Sequence, residues 1–250
     1  MRILQQLLHS LKTDHPVNAL GIGPHLVAVG SQQLGLAASM HSSGRTRPVT
    51  APTEAENLVG KNARELAGWL LEDNWFRASI GMAALNSLLV PRHESLIEAN
   101  AKQVISSRAA GRDLALVGHF PFVEELRSRV RNLWVMEKQP RAGDLSEEEG
   151  YQVLAEADVV AITGTSLINH TFERILASCA PQSFKIMLGP SAPLSPVVLD
   201  FGIDVIGGTL VEKTATVLAM VEGGASFRRL NGIRTVILAK DVSTAPDRCC

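Results

Sequence analysis

Cysteine is scarce in this chain of 250 residues: there are three, Cys179, Cys249 and Cys250, and no CxxC spacing joins them. No disulfide framework can be built from that set, and the usage suits a reducing compartment. The adjacent Cys249 and Cys250 can bind a soft metal, but two thiolates at a chain end make an incomplete site, and a frayed tail is the simpler reading. Histidine is equally uninformative as a cluster, since the seven residues at 9, 15, 25, 41, 93, 119 and 170 form neither HxxxH nor HExxH. Metal ligands are therefore unassigned from spacing. No GxGxxG follows a strand, which removes the usual warrant for a dinucleotide and leaves the cofactor unassigned. The absence of GxSxG gives an α/β-hydrolase elbow no support. No apolar run reaches the ~18 residues that cross a bilayer. The opening Met1–Leu11 has Gln and His within its apolar spacing, so it reads as an amphipathic helix and not as a secretory signal. A formal net charge of -1 offers no general electrostatic attraction to nucleic acid or an anionic membrane. A cytoplasmic protein with neither of those partners is expected.

What is present divides the chain in two. After a helix at roughly residues 2 to 12, the runs Val17–Gly21, His25–Val29 and Leu34–Ala38 alternate between turn signals and predict a small antiparallel meander. A polar loop over His41–Thr53 and helices over Ala63–Leu71 and Arg77–Leu89 complete an α+β unit. From Asp113 short apolar runs alternate with helical segments: Leu114–Val117, Leu133–Met136, Val159–Ile162, Phe184–Leu188, Val205–Ile206 and Thr235–Leu238. Such alternation predicts βαβ units and a parallel, Rossmann-like sheet. The expected helices cover Val123–Arg131, Glu147–Ala155, Asn169–Ala180, Pro193–Phe201 and Glu212–Glu222. The division is placed between residues 105 and 106, giving domains 1–105 and 106–250. Rossmann-like chains often self-associate, so a homo-oligomer is an expected partner state, although no stripe marks an interface.

Ligands of open parallel sheets bind beyond the carboxyl ends of the strands. The first strand of this sheet ends in Gly118-His-Phe-Pro-Phe122, where Gly118 lets the backbone approach a ligand and His119 can move a proton near neutral pH. A loop histidine bonded to backbone is the competing reading. Phe120 and Phe122 can stack on a planar ligand, but at least one is expected in the core. Glu137, 19 residues after Gly118, ends the second strand where Rossmann-type proteins hold a ribose hydroxyl. The third strand end, Thr163-Gly-Thr-Ser166 followed by Asn169–Thr171, supplies hydroxyls, an amide and a helix start, suited to an anion or simply to helix capping. Gly189-Pro-Ser-Ala-Pro-Leu-Ser-Pro196 is a loop stiffened by three prolines, and Gly207-Gly208 permits close approach after the fifth strand. A solvated or capping role is expected of His170.

Four segments carry a family resemblance: Val117-Gly-His-Phe-Pro-Phe122, Ala157-Asp-Val-Val-Ala-Ile-Thr-Gly-Thr-Ser-Leu-Ile-Asn-His-Thr171, Leu188-Gly-Pro-Ser-Ala-Pro-Leu-Ser-Pro196 and Phe201-Gly-Ile-Asp-Val-Ile-Gly-Gly208. On these the chain resembles the putative heavy-metal chelation proteins, a bacterial and archaeal family of unknown function. The resemblance implies an enolase-N-terminal-like α+β domain followed by a Rossmann-like domain similar in topology to methyltransferases, with the site in the cleft between them. Few cysteines and no clustered histidines depart from a chelating reading. The expected function is therefore binding or processing of a small organic, heterocyclic or metal-chelating metabolite. His119 and Glu137 are the expected catalytic groups. Gly118, Phe120, Thr163, Gly164, Thr165, Asn169, Gly189, Pro190 and Ser191 are the expected substrate-binding groups. An S-adenosylmethionine-binding methyltransferase relative and a non-catalytic metal or metallophore carrier are the alternatives.

Overall fold

The computed structural model of the chain describes residues 1–40 and 58–240. The loop expected at His41–Thr53 and the pair Cys249 and Cys250 lie outside the described residues. The opening helix, α1 (Arg2–Ser10), buries Ile3, Leu4 and Leu7 along one stripe, the spacing of an amphipathic helix. The three runs that follow form the expected antiparallel meander of β1 (Ala19–Ile22), β2 (Leu26–Gly30) and β3 (Leu34–Ala38). α2 (Ala63–Gly68) runs into a 3-10 turn at Trp69–Leu71, and α3 (Trp75–Leu88) lies against β2 and β3. Asn74 starts α3 by accepting the N–H groups of Phe76 at 3.1 Å and Arg77 at 3.2 Å. Residues 78–85 of α3 are buried on all sides because α2 covers the face that the meander leaves open, which is why no polar stripe is visible in this helix.

β4 (Leu96–Ile97) pairs with the last strand of the larger sheet, and α4 (Ala101–Arg108) packs on the strands at its centre, so the division placed between residues 105 and 106 falls inside α4. The alternating region then gives β5 (Asp113–Val117), α5 (Val123–Arg127), β6 (Asn132–Met136), α6 (Glu147–Val153), β7 (Val159–Thr163), α7 (Thr165–Ile168), α8 (Phe172–Ser178), β8 (Phe184–Leu188), α9 (Pro196–Asp200) and β9 (Val205–Val211). These strands are parallel and lie in the order β9-β8-β7-β5-β6. β7 returns to the other side of β5 from β6, which makes the β5/β7 edge the switch point where a crevice opens. Each strand is apolar on both faces: Leu114, Leu116, Val159, Ala161 and Ile186 face α4 and α5, while Ala115, Val117, Val160, Ile162 and Met187 join the core shared with α1 to α3.

The end of the chain departs from a purely parallel reading. α10 (Thr214–Glu222) leaves the sheet and buries Val217 and Val221 against Leu26, Leu34 and Leu36 of the meander. The chain therefore returns alongside β9, and β10 (Ile233–Ala239) pairs antiparallel with it along its whole length. Among the described residues the larger sheet has seven strands, ordered β4-β10-β9-β8-β7-β5-β6, with β10 reversed. Gly207 and Gly208 lie inside β9, not after it. A Cβ at Gly207 would meet that of Ala101 at 2.4 Å, so its bare backbone is what admits α4. The helix expected over Asn169–Ala180 is shortened to α8, because His170 at φ 65° breaks the chain between it and α7, which lies before the expected range.

Candidate functional site

Parallel pairing brings the ends of β5, β7 and β8 to one edge, and a cavity of about 870 Å³ opens there, within the range of small-molecule sites. Gly118 at φ 105° and Gly189 at φ 109° turn the chain away from the strands in a conformation that favours glycine. The methyl of Thr163 would stand 3.1 Å from a Cβ at Gly118, so the two loops of the switch point touch. Ala38, Met40 and Trp75 from the N-terminal half line the opposite side of the cavity. Among the bonds that fix that half in place, the Ala38 N–H donates to Ser191 Oγ at 2.8 Å, the Ile3 N–H donates to Glu173 Oε1 at 2.9 Å, and His170 Nε2 lies 2.8 Å from the Leu70 carbonyl oxygen. His170 thus joins the two halves, a role different from the capping or solvation expected of it.

His119 lines the cavity and is held from two directions. Its backbone N–H donates to Glu137 Oε2 at 3.0 Å, while Glu137 Oε1 accepts the Lys138 N–H at 2.9 Å. Each oxygen of Glu137 thus has a backbone partner, and the carboxylate braces the ends of β5 and β6 against each other. The ring of His119 meets a residue that sequence reasoning missed: its Nδ1 lies 3.2 Å from Asp144 Oδ2, which also accepts the Arg141 N–H at 3.0 Å. The Asp144 side chain is only 5% exposed, so it orients the imidazole from a largely dry position. A carboxylate only accepts, which places the proton on Nδ1 and leaves Nε2 to a ligand.

The hydroxyl-rich loop stands on the neighbouring strand end. Thr163 Oγ1 and Thr165 Oγ1 are 3.0 Å apart, Ser166 Oγ donates to the Thr163 carbonyl at 2.7 Å, and Asn169 Oδ1 accepts the Thr171 hydroxyl at 2.7 Å. Thr163, Thr165, Ser166 and Asn169 all line the cavity. Gly189, Pro190, Phe120 and Phe122 do so as well, the two rings stacked on each other at 5.4 Å and 8°. Gly164 and Ser191 do not line it. Gly164 backs onto Ser191 and Ala192, and the Ser191 side chain is turned to Ala38.

A polar chain closes the β6 side. Lys138 Nζ lies 3.4 Å from Glu147 Oε2 and 5.2 Å from the centroid of the Trp75 ring, and Tyr151 donates to Glu147 Oε1 at 2.7 Å. Burial, with that hydrogen bond, pushes the Tyr151 phenol up to about 12. For Glu147 burial acts upward, but the Tyr151 hydrogen bond and the Lys138 charge outweigh it and hold the carboxyl below its ordinary range.

A heavy-metal ion held by protein side chains alone does not fit this donor set. Among the described residues no three His, Cys, Asp or Glu side chains converge. His119 Nδ1 already faces Asp144, and both Glu137 oxygens hold backbone. The Cys179 thiol is buried, donates to the Ile175 carbonyl at 3.2 Å and is pushed up to about 11, chiefly by burial. It is a poor ligand in that state, since the thiolate binds metal. Iodoacetamide at pH 8 is therefore expected to leave Cys179 unlabelled in the folded protein and to label it on denaturation, as read by peptide mass spectrometry. Labelling of the folded protein at the rate of a free thiol contradicts this.

The comparisons with known proteins show the fold and the family. Residues 100–240 match the family described as "Putative heavy-metal chelation", and residues 4–89 match a second family with the same description. An uncharacterized protein of Methanocaldococcus jannaschii is 30% identical over 183 residues, 70% of each chain. A crystal structure of a DUF364-family protein of unknown function from Desulfitobacterium hafniense is 25% identical, with a TM-score of 0.84 over 96% of this chain and 98% of that one. A second, from Pyrococcus horikoshii, is similar in fold at 19% identity, with a TM-score of 0.74 over 95% and 98% of the two chains. With six of the seven strands of its larger sheet, β5 to β10, inside the matched region, the chain belongs to the family described as putative heavy-metal chelation.

Proposed function

We propose that the cavity binds and processes a small oxygen-bearing organic metabolite, heterocyclic or itself able to chelate a metal, with His119 Nε2 as the acid/base group. The observation that carries this reading is the meeting, over Gly118, of an imidazole oriented by Asp144 and the hydroxyl loop of Thr163 and Thr165. A group that exchanges protons beside fixed hydroxyls and an amide suits a polar organic molecule, whereas a bare soft metal calls for several convergent donors. Glu137 acts here by holding the His119 and Lys138 backbone, and Thr163, Thr165 and Asn169 orient the ligand. Any metal would arrive on the ligand.

The test is to mix the protein with a small-molecule cell extract, remove unbound compounds by rapid gel filtration, and identify what denaturation releases by mass spectrometry. The wild-type protein is expected to retain an organic compound. Thr165→Val, which removes one hydroxyl at nearly constant volume, is expected to weaken retention about five-fold, the worth of one hydrogen bond. Retention of metal with no organic compound, or equal loading of the variant, would sink the reading.

A further inference from the structure

The cavity has a second polar side, apart from the pair of His119 and Asp144. There Asn100, Lys102, Glu125, Ser226, Arg228 and Thr235 line it, beyond the bare floor made by Gly189, Gly207 and Gly208. Lys102 stands at the start of α4, which packs over β7 and β8, and Glu125 lies in α5, the helix that follows β5. Lys102 forms an ion pair with Glu125, whose side chain is 62% exposed at the surface of α5. The hydrogen bond and charge of Lys102, with the charges of Arg129 and Arg228, hold the Glu125 carboxyl below its usual range. Glu125 is thus the carboxylate that lines this side beside Lys102 and Arg228, and among the described residues Arg228 forms no ion pair of its own.

We infer that this side is an anion subsite, in which Lys102 and Arg228 receive a carboxylate or phosphate carried by the ligand, in competition with Glu125. The inference rests on reading the cavity as a small-molecule site, and it adds a substrate class: an acidic molecule whose reacting group lies at His119. Glu125 supplies the negative charge that keeps Lys102 partnered, and a ligand anion takes its place beside the cations while the exposed Glu125 carboxylate turns to solvent. Exchange of one anion for another gives the variants opposite signs. Removing a cation weakens anion binding, and neutralising Glu125 strengthens it.

Inorganic phosphate is the probe, titrated against the full-length protein at low ionic strength and followed by phosphorus NMR. Phosphate is expected to bind the wild-type protein. Lys102→Ala and Arg228→Ala are each expected to weaken binding about three- to ten-fold, and Glu125→Gln to tighten it about three-fold. Glu124→Gln, which neutralises the adjacent exposed carboxylate paired with Arg127, is expected to change nothing and so separates a local site from general surface charge. Displacement of phosphate by acetate extends the subsite to carboxylates, and no displacement restricts it to phosphates. Absence of phosphate binding even in Glu125→Gln, indifference to Arg228→Ala, or weaker binding in Glu125→Gln overturns the inference. Because the titration uses no metabolite, it fails or succeeds independently of the extract screen.

Discussion

Gly164→Ala is expected to destabilise the protein by about 3 kcal/mol, the upper part of the usual range for overpacking a tight contact. For a chain of this length that corresponds to a fall of about 10 °C in the melting temperature. A Cβ at Gly164 would stand 2.5 Å from the Ala192 nitrogen and 2.5 Å from the Ser191 carbonyl carbon. Both are backbone atoms, so no rotamer change relieves the clash, and the loop after β8 must move away from the loop after β7. That movement pulls on the Ser191 Oγ that holds the Ala38 N–H, so the contact between the meander and the larger sheet loosens with it. Gly68→Ala is the control. It sits in α2 with φ -59°, where nothing lies within 4 Å of an added Cβ. There the same methyl is expected to leave stability unchanged or raise it by about 0.5–1 kcal/mol. Differential scanning calorimetry of the two variants decides the matter. A Gly164→Ala midpoint within 2 °C of wild type would show that the two loops are free to separate, and would remove the reason given for Gly164.

The strand ends were legible in the sequence because local chemistry wrote them. Val117-Gly118, Thr163-Gly164 and Leu188-Gly189 each mark a change from apolar run to turn, and each does end a strand of the larger sheet. The meander was legible for the same reason, with a turn signal between each pair of runs. What could not be read depended on contacts remote in sequence. α10 has an ordinary helical pattern, and nothing in Thr214–Glu222 says that Val217 and Val221 find Leu26 and Leu34 and not the larger sheet, so the reversal of β10 was hidden. Asp144 follows the turn at Arg141–Asp144, and its contact with His119 arises only because Leu145 returns beside β6, its N–H donating to the Val135 carbonyl at 2.7 Å. Ser191 looked like a ligand group because its loop was on the right edge, yet whether its hydroxyl faced the cavity or Ala38 was set by the docking of the meander.

Replacing His119 with Ala is expected to lower kcat by about 10²–10⁴-fold on the metabolite that the extract screen identifies, the usual contribution of a positioned acid/base group and equal to about 3–5 kcal/mol of barrier. Asp144→Asn is expected to approach the same loss through the ring alone. Asp144 lies against Nδ1, with its side chain almost entirely sheltered, and as an acceptor it keeps the proton on that nitrogen. An amide at this position can present a donor instead, which draws the proton to Nε2 and removes the lone pair that faces the ligand. The exchange acts on the tautomer and, since Oδ2 also accepts the Arg141 N–H, on that one turn bond, while the ligand-facing hydroxyls of Thr163 and Thr165 are untouched. Binding should therefore survive: KM is expected to stay within about two-fold of wild type while kcat falls, the signature of an interaction made in the transition state. A residue that only supports the loop would move KM and the melting temperature together. Turnover of His119→Ala within ten-fold of wild type would remove His119 from the chemistry. A normal kcat in Asp144→Asn would leave His119 in place and show that its tautomer is set by the ligand, since Asp144 supplies the ring's protein partner among the described residues.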